Sequence, residues 1–148
     1  MTALPGPADT EAFGAALGSL LRAGDVVALS GPLGAGKTTL ARGILRGLGF
    51  AGDVASPSFP IVIAYEPPAL SLPLWHVDLY RIEHRREMDE LGLDDALLDS
   101  ALLVEWPERL GERVWRHALR LDLGVRPDGA RSLTAQVPEA WEARWPPR

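Results

Sequence analysis

Gly31-Pro32-Leu33-Gly34-Ala35-Gly36-Lys37-Thr38 is the stretch on which the reading of this 148-residue chain turns. It matches G-x-x-x-x-G-K-[ST] at every fixed position. Glycines let the backbone turn tightly around a phosphate with no Cβ in the way. Successive amides, from about Gly34 to Thr38, then point inward and meet the positive end of the following helix, making an anion nest. The Lys37 ammonium reaches the β- and γ-phosphates as a compact charge, and the Thr38 hydroxyl is placed to ligate Mg²⁺. The flanks agree. Val26-Val27-Ala28-Leu29 reads as a strand buried on both faces. After the loop, Leu40, Ala41, Ile44, Leu45 and Leu48 form one helix stripe, with Gly49 as its stop. ATP with Mg²⁺ is the expected ligand.

Outward from the loop, residues 1–8 read as a flexible lead. Asp9 or Thr10 caps a helix running to about Arg22, with Phe13, Ala16, Leu17, Leu20 and Leu21 at helical spacing and Gly24 ending it. Ala51 to Phe59 is loop in composition. Ile61 to Tyr65 and Leu74 to Val77 read as strands joined by the proline-rich Pro67 to Pro73. Glu83 to Ser100 suggests one or two short helices. Ala101 to Val104 is a second buried strand, ending at Glu105. Leu119, Leu121 and Leu123 alternate with Arg120 and Asp122 as a half-exposed strand should. Pro127-Asp128-Gly129 turns into Ser132–Val137, a hairpin, and residues 138–148 form a C-terminal tail. With no repeat and no linker, residues 1–148 read as a single domain. Its class is α/β, a P-loop NTPase-like three-layer fold with a central mostly parallel sheet and antiparallel C-terminal hairpin strands.

Composition narrows the function. The net charge is −5, and a protein that grips a phosphate backbone by itself presents a basic face. Cysteine is absent, which excludes thiolate metal sites. No apolar run approaches the roughly 20 residues of a membrane helix, and Met1 to Asp9 lacks the positive charge of a secretory leader. A cytoplasmic protein is expected. Fourteen of the 15 basic residues are arginine and Lys37 is the one lysine, so the lysine that remains sits inside the motif. The chain has no asparagine, so a guanine-reading Asn-Lys-x-Asp motif is excluded. A small-molecule kinase and a nucleotide-gated module with little hydrolysis remain as rivals to an ATPase.

A phosphate-loop enzyme also needs a carboxylate at the end of a neighbouring strand. Glu105 and Asp78 both qualify. Ser56-Pro57-Ser58 follows the first loop helix, in the region where many such proteins sense the γ-phosphate; from spacing alone it is a Ser/Pro turn. His76 reads as a strand residue held by hydrogen bonds. Arg81, Arg85 and Arg86, beside Glu87, Asp89 and Glu90, read as a solvated, ion-paired helix face. Trp115, Trp141 and Trp145 are open between core and interface.

Four blocks in order, Gly31–Thr39, Ser56-Pro57-Ser58-Phe59, His76-Val77-Asp78-Leu79-Tyr80-Arg81 and Val104-Glu105-Trp106-Pro107, resemble the bacterial TsaE (YjeE) family, the ATPase of tRNA threonylcarbamoyladenosine biosynthesis. The resemblance spans about Asp9 to Val137. It implies nucleotide contacts from Gly31, Leu33, Gly34, Ala35, Gly36, Lys37, Thr38 and Thr39. It implies that Thr38 and Glu105 contact magnesium, and that Asp78 is the Walker-B-type acid, also near the metal, orienting the attacking water; with Lys37 it forms the catalytic pair. Ser56 and Ser58 belong to a switch over the γ-phosphate, and Trp106 lies near the nucleotide. Asp9, Thr10 and Arg131 are the candidates beside the base. The implied partner is a TsaD/TsaB-type heterodimer that modifies tRNA, so tRNA is met only indirectly, through that complex. Two departures stand out. Ser58 keeps the hydroxyl of the family's usual threonine, whereas Pro60 loses a hydroxyl and an amide.

Overall fold

The alternation of side chains along the second strand explains the layering. Of β2 (Val26–Ser30), Val27 and Leu29 pack into one apolar cluster and Val26 into another on the opposite face. β5 (Ala101–Glu105) divides likewise, Ala101 and Leu103 to the first side and Leu102 and Val104 to the second. A strand covered on both faces must be apolar along its covered length, as residues 26–29 and 101–104 are before each strand ends in a polar residue.

The computed structural model describes residues 1–57 and 61–147. The remaining elements are β1 (Thr2–Leu4), α1 (Pro7–Gly18), α2 (Lys37–Gly47), β3 (Val62–Tyr65), β4 (Leu74–Asp78), α3 (Arg85–Glu90), α4 (Leu93–Ala96), β6 (Leu119–Val125) and β7 (Arg131–Gln136), with 3₁₀ segments at Pro107–Arg113 and Glu139–Trp141. The seven strands form one sheet in the order β1-β7-β6-β2-β5-β4-β3. β4, β5, β2 and β6 are parallel neighbours, β3 and β7 run against them, and β1, antiparallel to β7, shares the central direction. The sheet is thus mostly parallel, with the expected C-terminal hairpin. α1 and α2 cover one face; α3, α4 and Pro107–Arg113 cover the other. That is the three-layer arrangement.

α1 and α2 touch backbone to backbone. A Cβ on Gly18 would lie 2.2 Å from Ile44 O, and one on Gly43 would lie 2.2 Å from Glu11 O. Only hydrogen fits there, so α1 fixes the position of α2 and of the loop at its N-terminus.

Three sequence expectations change. Residues 2–4, read as part of a flexible lead, form an edge strand, with Thr2 opposite Leu133 and Leu4 opposite Arg131. That pairing satisfies the open edge of β7, and Leu4 is buried. The first helix begins at Pro7 rather than at Asp9 or Thr10 and stops at Gly18 rather than Arg22. Proline suits the first helical position. At the other end the Leu20 and Leu21 amides turn back to Leu17 and Gly18. The tail is also anchored. Trp141 is fully buried, and the Arg144 guanidinium meets Asp25 at 2.7 and 3.1 Å while lying 3.8 Å from the Trp141 ring centre.

Candidate functional site

β2 ends at Ser30 and α2 starts at Lys37, so the glycine-rich loop joins the carboxyl end of a central parallel strand to a helix N-terminus. Ligands gather at that end of an open α/β sheet. Two glycines show why the loop needs them. A Cβ on Gly31 would stand 2.7 Å from Leu123 O, and Gly36, the cap of α2, has φ of 102°, which side-chain-bearing residues avoid. The first helical hydrogen bond runs from Leu40 N–H to Gly36 O at 2.9 Å. The amides of Gly36, Lys37, Thr38 and Thr39 ahead of it have no intrahelical acceptor and form the positive end of the helix dipole.

These residues line a cavity of about 450 Å³ with Leu33, Gly34, Ser56, Asp78, Tyr80, Glu105, Trp106 and Arg131. The two acids close the wall opposite the loop. β4 and β5 are parallel and in register, so Asp78 sits beside Glu105 at the strand ends, and Glu105 is in turn beside Leu29 of β2. Each carboxylate is held. Asp78 Oδ1 accepts the Tyr80 N–H at 2.9 Å, and Glu105 Oε2 lies 2.7 Å from Nε2 of the buried His76. His76 is therefore hydrogen-bonded within its strand layer, as expected.

Trp106 follows Glu105 with φ of 58° and ψ of 50°. A bulky residue in the left-handed region costs of order 1–3 kcal/mol, and such strain collects at ligand sites. Its ring is packed between Tyr80, at 4.7 Å between centroids, and Lys37, whose Nζ is 4.6 Å from the ring centre. Lys37 is itself buried, so the aromatic face is what meets its ammonium.

The other expected residues fall around this cavity. Gly31 and Pro32 line a neighbouring space of about 640 Å³ that shares the Trp106 wall. Ala35 is fully buried beneath the loop, where its methyl packs in the core. Thr10 lines a third space of about 300 Å³ with Pro5, Gly6, Pro7, Gly36, Thr39, Gly129 and Arg131. Arg131 thus borders both this space and the main cavity, and it donates to Gly34 O at 3.0 Å, tying the C-terminal hairpin to the loop. Asp9 accepts the Gly6 N–H at 3.0 Å as part of the α1 cap and lines none of these spaces. Ser58 lies outside the described residues, as does Pro60. Tyr80 was not anticipated at the site; its signal was its place two residues after Asp78.

Among the described residues no group of three or more His, Cys, Asp or Glu side chains could hold a metal. The residues do suit magnesium, which takes one or two carboxylates and completes its shell with phosphate oxygens and water. Asp78, Glu105 and the exposed Thr38 hydroxyl beside the loop are such a set.

The family model for "Threonylcarbamoyl adenosine biosynthesis protein TsaE" matches residues 4–133. The chain belongs to the TsaE family. It is 47% identical over 137 residues to the tRNA threonylcarbamoyladenosine biosynthesis protein TsaE of Streptomyces coelicolor, covering 87% of this chain and 91% of that one. The Bacillus subtilis TsaE protein is 36% identical over 129 residues, 86% of this chain and 79% of its own. The crystal structure of Bacillus subtilis YdiB superposes with a TM-score of 0.81 at 30% identity, covering 96% of this chain and 88% of that one. Membership of the TsaE family accords with the four sequence blocks, each of which contributes described residues to the cavity. Among the described residues no helix is long and apolar enough to cross a membrane.

Proposed function

We propose that this chain is the ATP-binding, slowly hydrolysing component of tRNA threonylcarbamoyladenosine biosynthesis, acting in the cytoplasm on a TsaD/TsaB-type heterodimer. The carrying observation is the cavity itself: orphan amides, one buried lysine and one threonine hydroxyl on one side, and two in-register carboxylates on the other. Lys37 and the first-turn amides of α2 hold the phosphates. Thr38, Asp78 and Glu105 would hold magnesium, which when bound offsets charge on the β- and γ-phosphate oxygens. Asp78, fixed by the Tyr80 amide, orients the attacking water. The space lined by Gly36, Thr39, Arg131 and Thr10 would receive the base.

Family membership supports the pathway, and the acidic balance of the chain supports contact with tRNA only through its partners. No arginine of the described chain lines the cavity apart from Arg131, which is engaged with Gly34 O. Turnover by the isolated protein is accordingly expected well below the roughly 1–100 s⁻¹ of kinases.

Calorimetry with ATP and Mg²⁺ tests binding, and a phosphate-release assay with and without the heterodimer tests turnover. Binding heat that Lys37→Ala removes, with phosphate released to water, is the expected result. An absence of heat from folded wild-type protein sinks the reading. Phosphate appearing on an added acceptor makes the chain a kinase instead.

A further inference from the structure

Glu105 has a role in the proposed chemistry, but the side chain that holds it does not. His76 is fully buried on β4, opposite Leu103 of β5 in the register. Its flanking core residues are apolar: Val77 in one cluster, Leu74 and Leu103 in the other. A polar ring in such a setting is retained at a cost unless its hydrogen bond matters. Its Nε2 lies 2.7 Å from Glu105 Oε2, and its Nδ1 is buried with no hydrogen-bond partner among the described residues.

Those two facts assign the ring. A carboxylate oxygen only accepts, so Nε2 carries the proton. Orphaned buried N–H groups are rarer than under-satisfied acceptors, so the unpartnered Nδ1 is the bare lone pair. The imidazole is thus a one-proton donor whose single strong bond goes to one oxygen of Glu105. With Oε2 held, Oε1 is the oxygen left to meet a cation at the loop. Outer partners of this kind orient metal-binding carboxylates, and losing one typically costs 10–100-fold in metal affinity.

We propose that His76 is a positioning residue for Glu105, fixing the carboxylate so that the site prefers magnesium-bound over free nucleotide. The inference rests on the nucleotide reading above. It differs from a purely structural role, in which His76 would set stability and leave the metal dependence of binding alone.

The test uses the full chain and a non-hydrolysable ATP analogue. The Mg²⁺ midpoint of analogue binding is measured for wild type, His76→Leu and His76→Gln, together with analogue affinity in EDTA and thermal unfolding. His76→Leu should raise the Mg²⁺ midpoint roughly tenfold or more and leave affinity in EDTA unchanged. His76→Gln, whose amide N–H reaches about the place of Nε2, should restore a near wild-type midpoint. A wild-type midpoint in His76→Leu overturns the assignment, as does a glutamine variant as impaired as the leucine one. Should His76→Leu not fold, His76→Asn takes its place. Its shorter amide falls near Nδ1, so its midpoint should rise, and a midpoint equal to that of His76→Gln overturns the assignment. Wild-type protein that binds the analogue equally with and without Mg²⁺ overturns the role of His76 and leaves the nucleotide reading standing. Wild-type protein that binds no analogue under either condition overturns both.

Discussion

The two walls of the cavity are held by different means. On the loop side, Gly31 to Thr39 are contiguous, and their geometry comes from main-chain conformation and from the glycine-to-backbone contact of α2 with α1. On the acid side, His76, Asp78, Tyr80, Glu105 and Trp106 come from two segments more than twenty residues apart. Strand register and side-chain hydrogen bonds hold them together. A wall built from backbone is hard to reshape without disturbing the fold. A wall built from side chains can be altered one group at a time.

The sharpest way to break the comparison is Gly43→Ala. Its Cβ would lie 2.2 Å from Glu11 O, a backbone atom with no rotamer to yield. Overpacking of this kind costs about 3 kcal/mol. Denaturant unfolding should show that loss, and nucleotide affinity should fall with it because α2 carries the loop. Normal stability in this variant would mean that the helices are not locked as described.

Lys37→Ala should leave the fold intact and remove a charge-assisted contact to phosphate, about 2–3 kcal/mol of nucleotide affinity. Calorimetry reads it directly. On the other wall the two acids should separate. Glu105→Ala should weaken magnesium-dependent binding at least as much as loss of its outer partner His76 does, by roughly tenfold or more, measured as the Mg²⁺ midpoint. Asp78→Ala should bind within a few-fold of wild type and lose most of its phosphate release. Normal hydrolysis by Asp78→Ala would reverse the two assignments.

The smallest effect concerns a residue away from both walls. Tyr65 on β3 stacks edge-on against Phe50, just past α2, with ring centroids 4.9 Å apart. Burial pushes its phenol above the usual 10.0, against a smaller opposing influence from the Ala55 backbone. A folded value above the unfolded one means stability that is present below pH 10 and lost as pH rises through the folded value. Wild type should therefore weaken in that alkaline range. Tyr65→Phe should lack this part of the fall, which paired melts near pH 8 and above pH 10 would detect.

The loop wall was legible because its determinants are close in sequence. Eight consecutive residues, a buried strand before them and an amphipathic helix after them constrain one another through local geometry. The acids were legible as strand ends, yet only the register Asp78↔Glu105 makes them neighbours. The glycines of α1 and α2 showed no sequence signal of their own, because a close approach exists only once both helices are docked. The edge strand Thr2–Leu4 and the anchored tail were missed for the same reason. Their partners, Leu133 for Thr2 and Asp25 for Arg144, lie more than a hundred residues away.

By itself, then, the sequence determined the phosphate loop, the α/β order of elements, the two candidate acids and the family resemblance, all encoded by short-range pattern. Tertiary structure alone decided which acid His76 holds, that Trp106 lies against Lys37, and that Arg131 reaches back to the loop. Those contacts depend on which strands become neighbours. That is a property of the folded sheet, and no local window of sequence carries it.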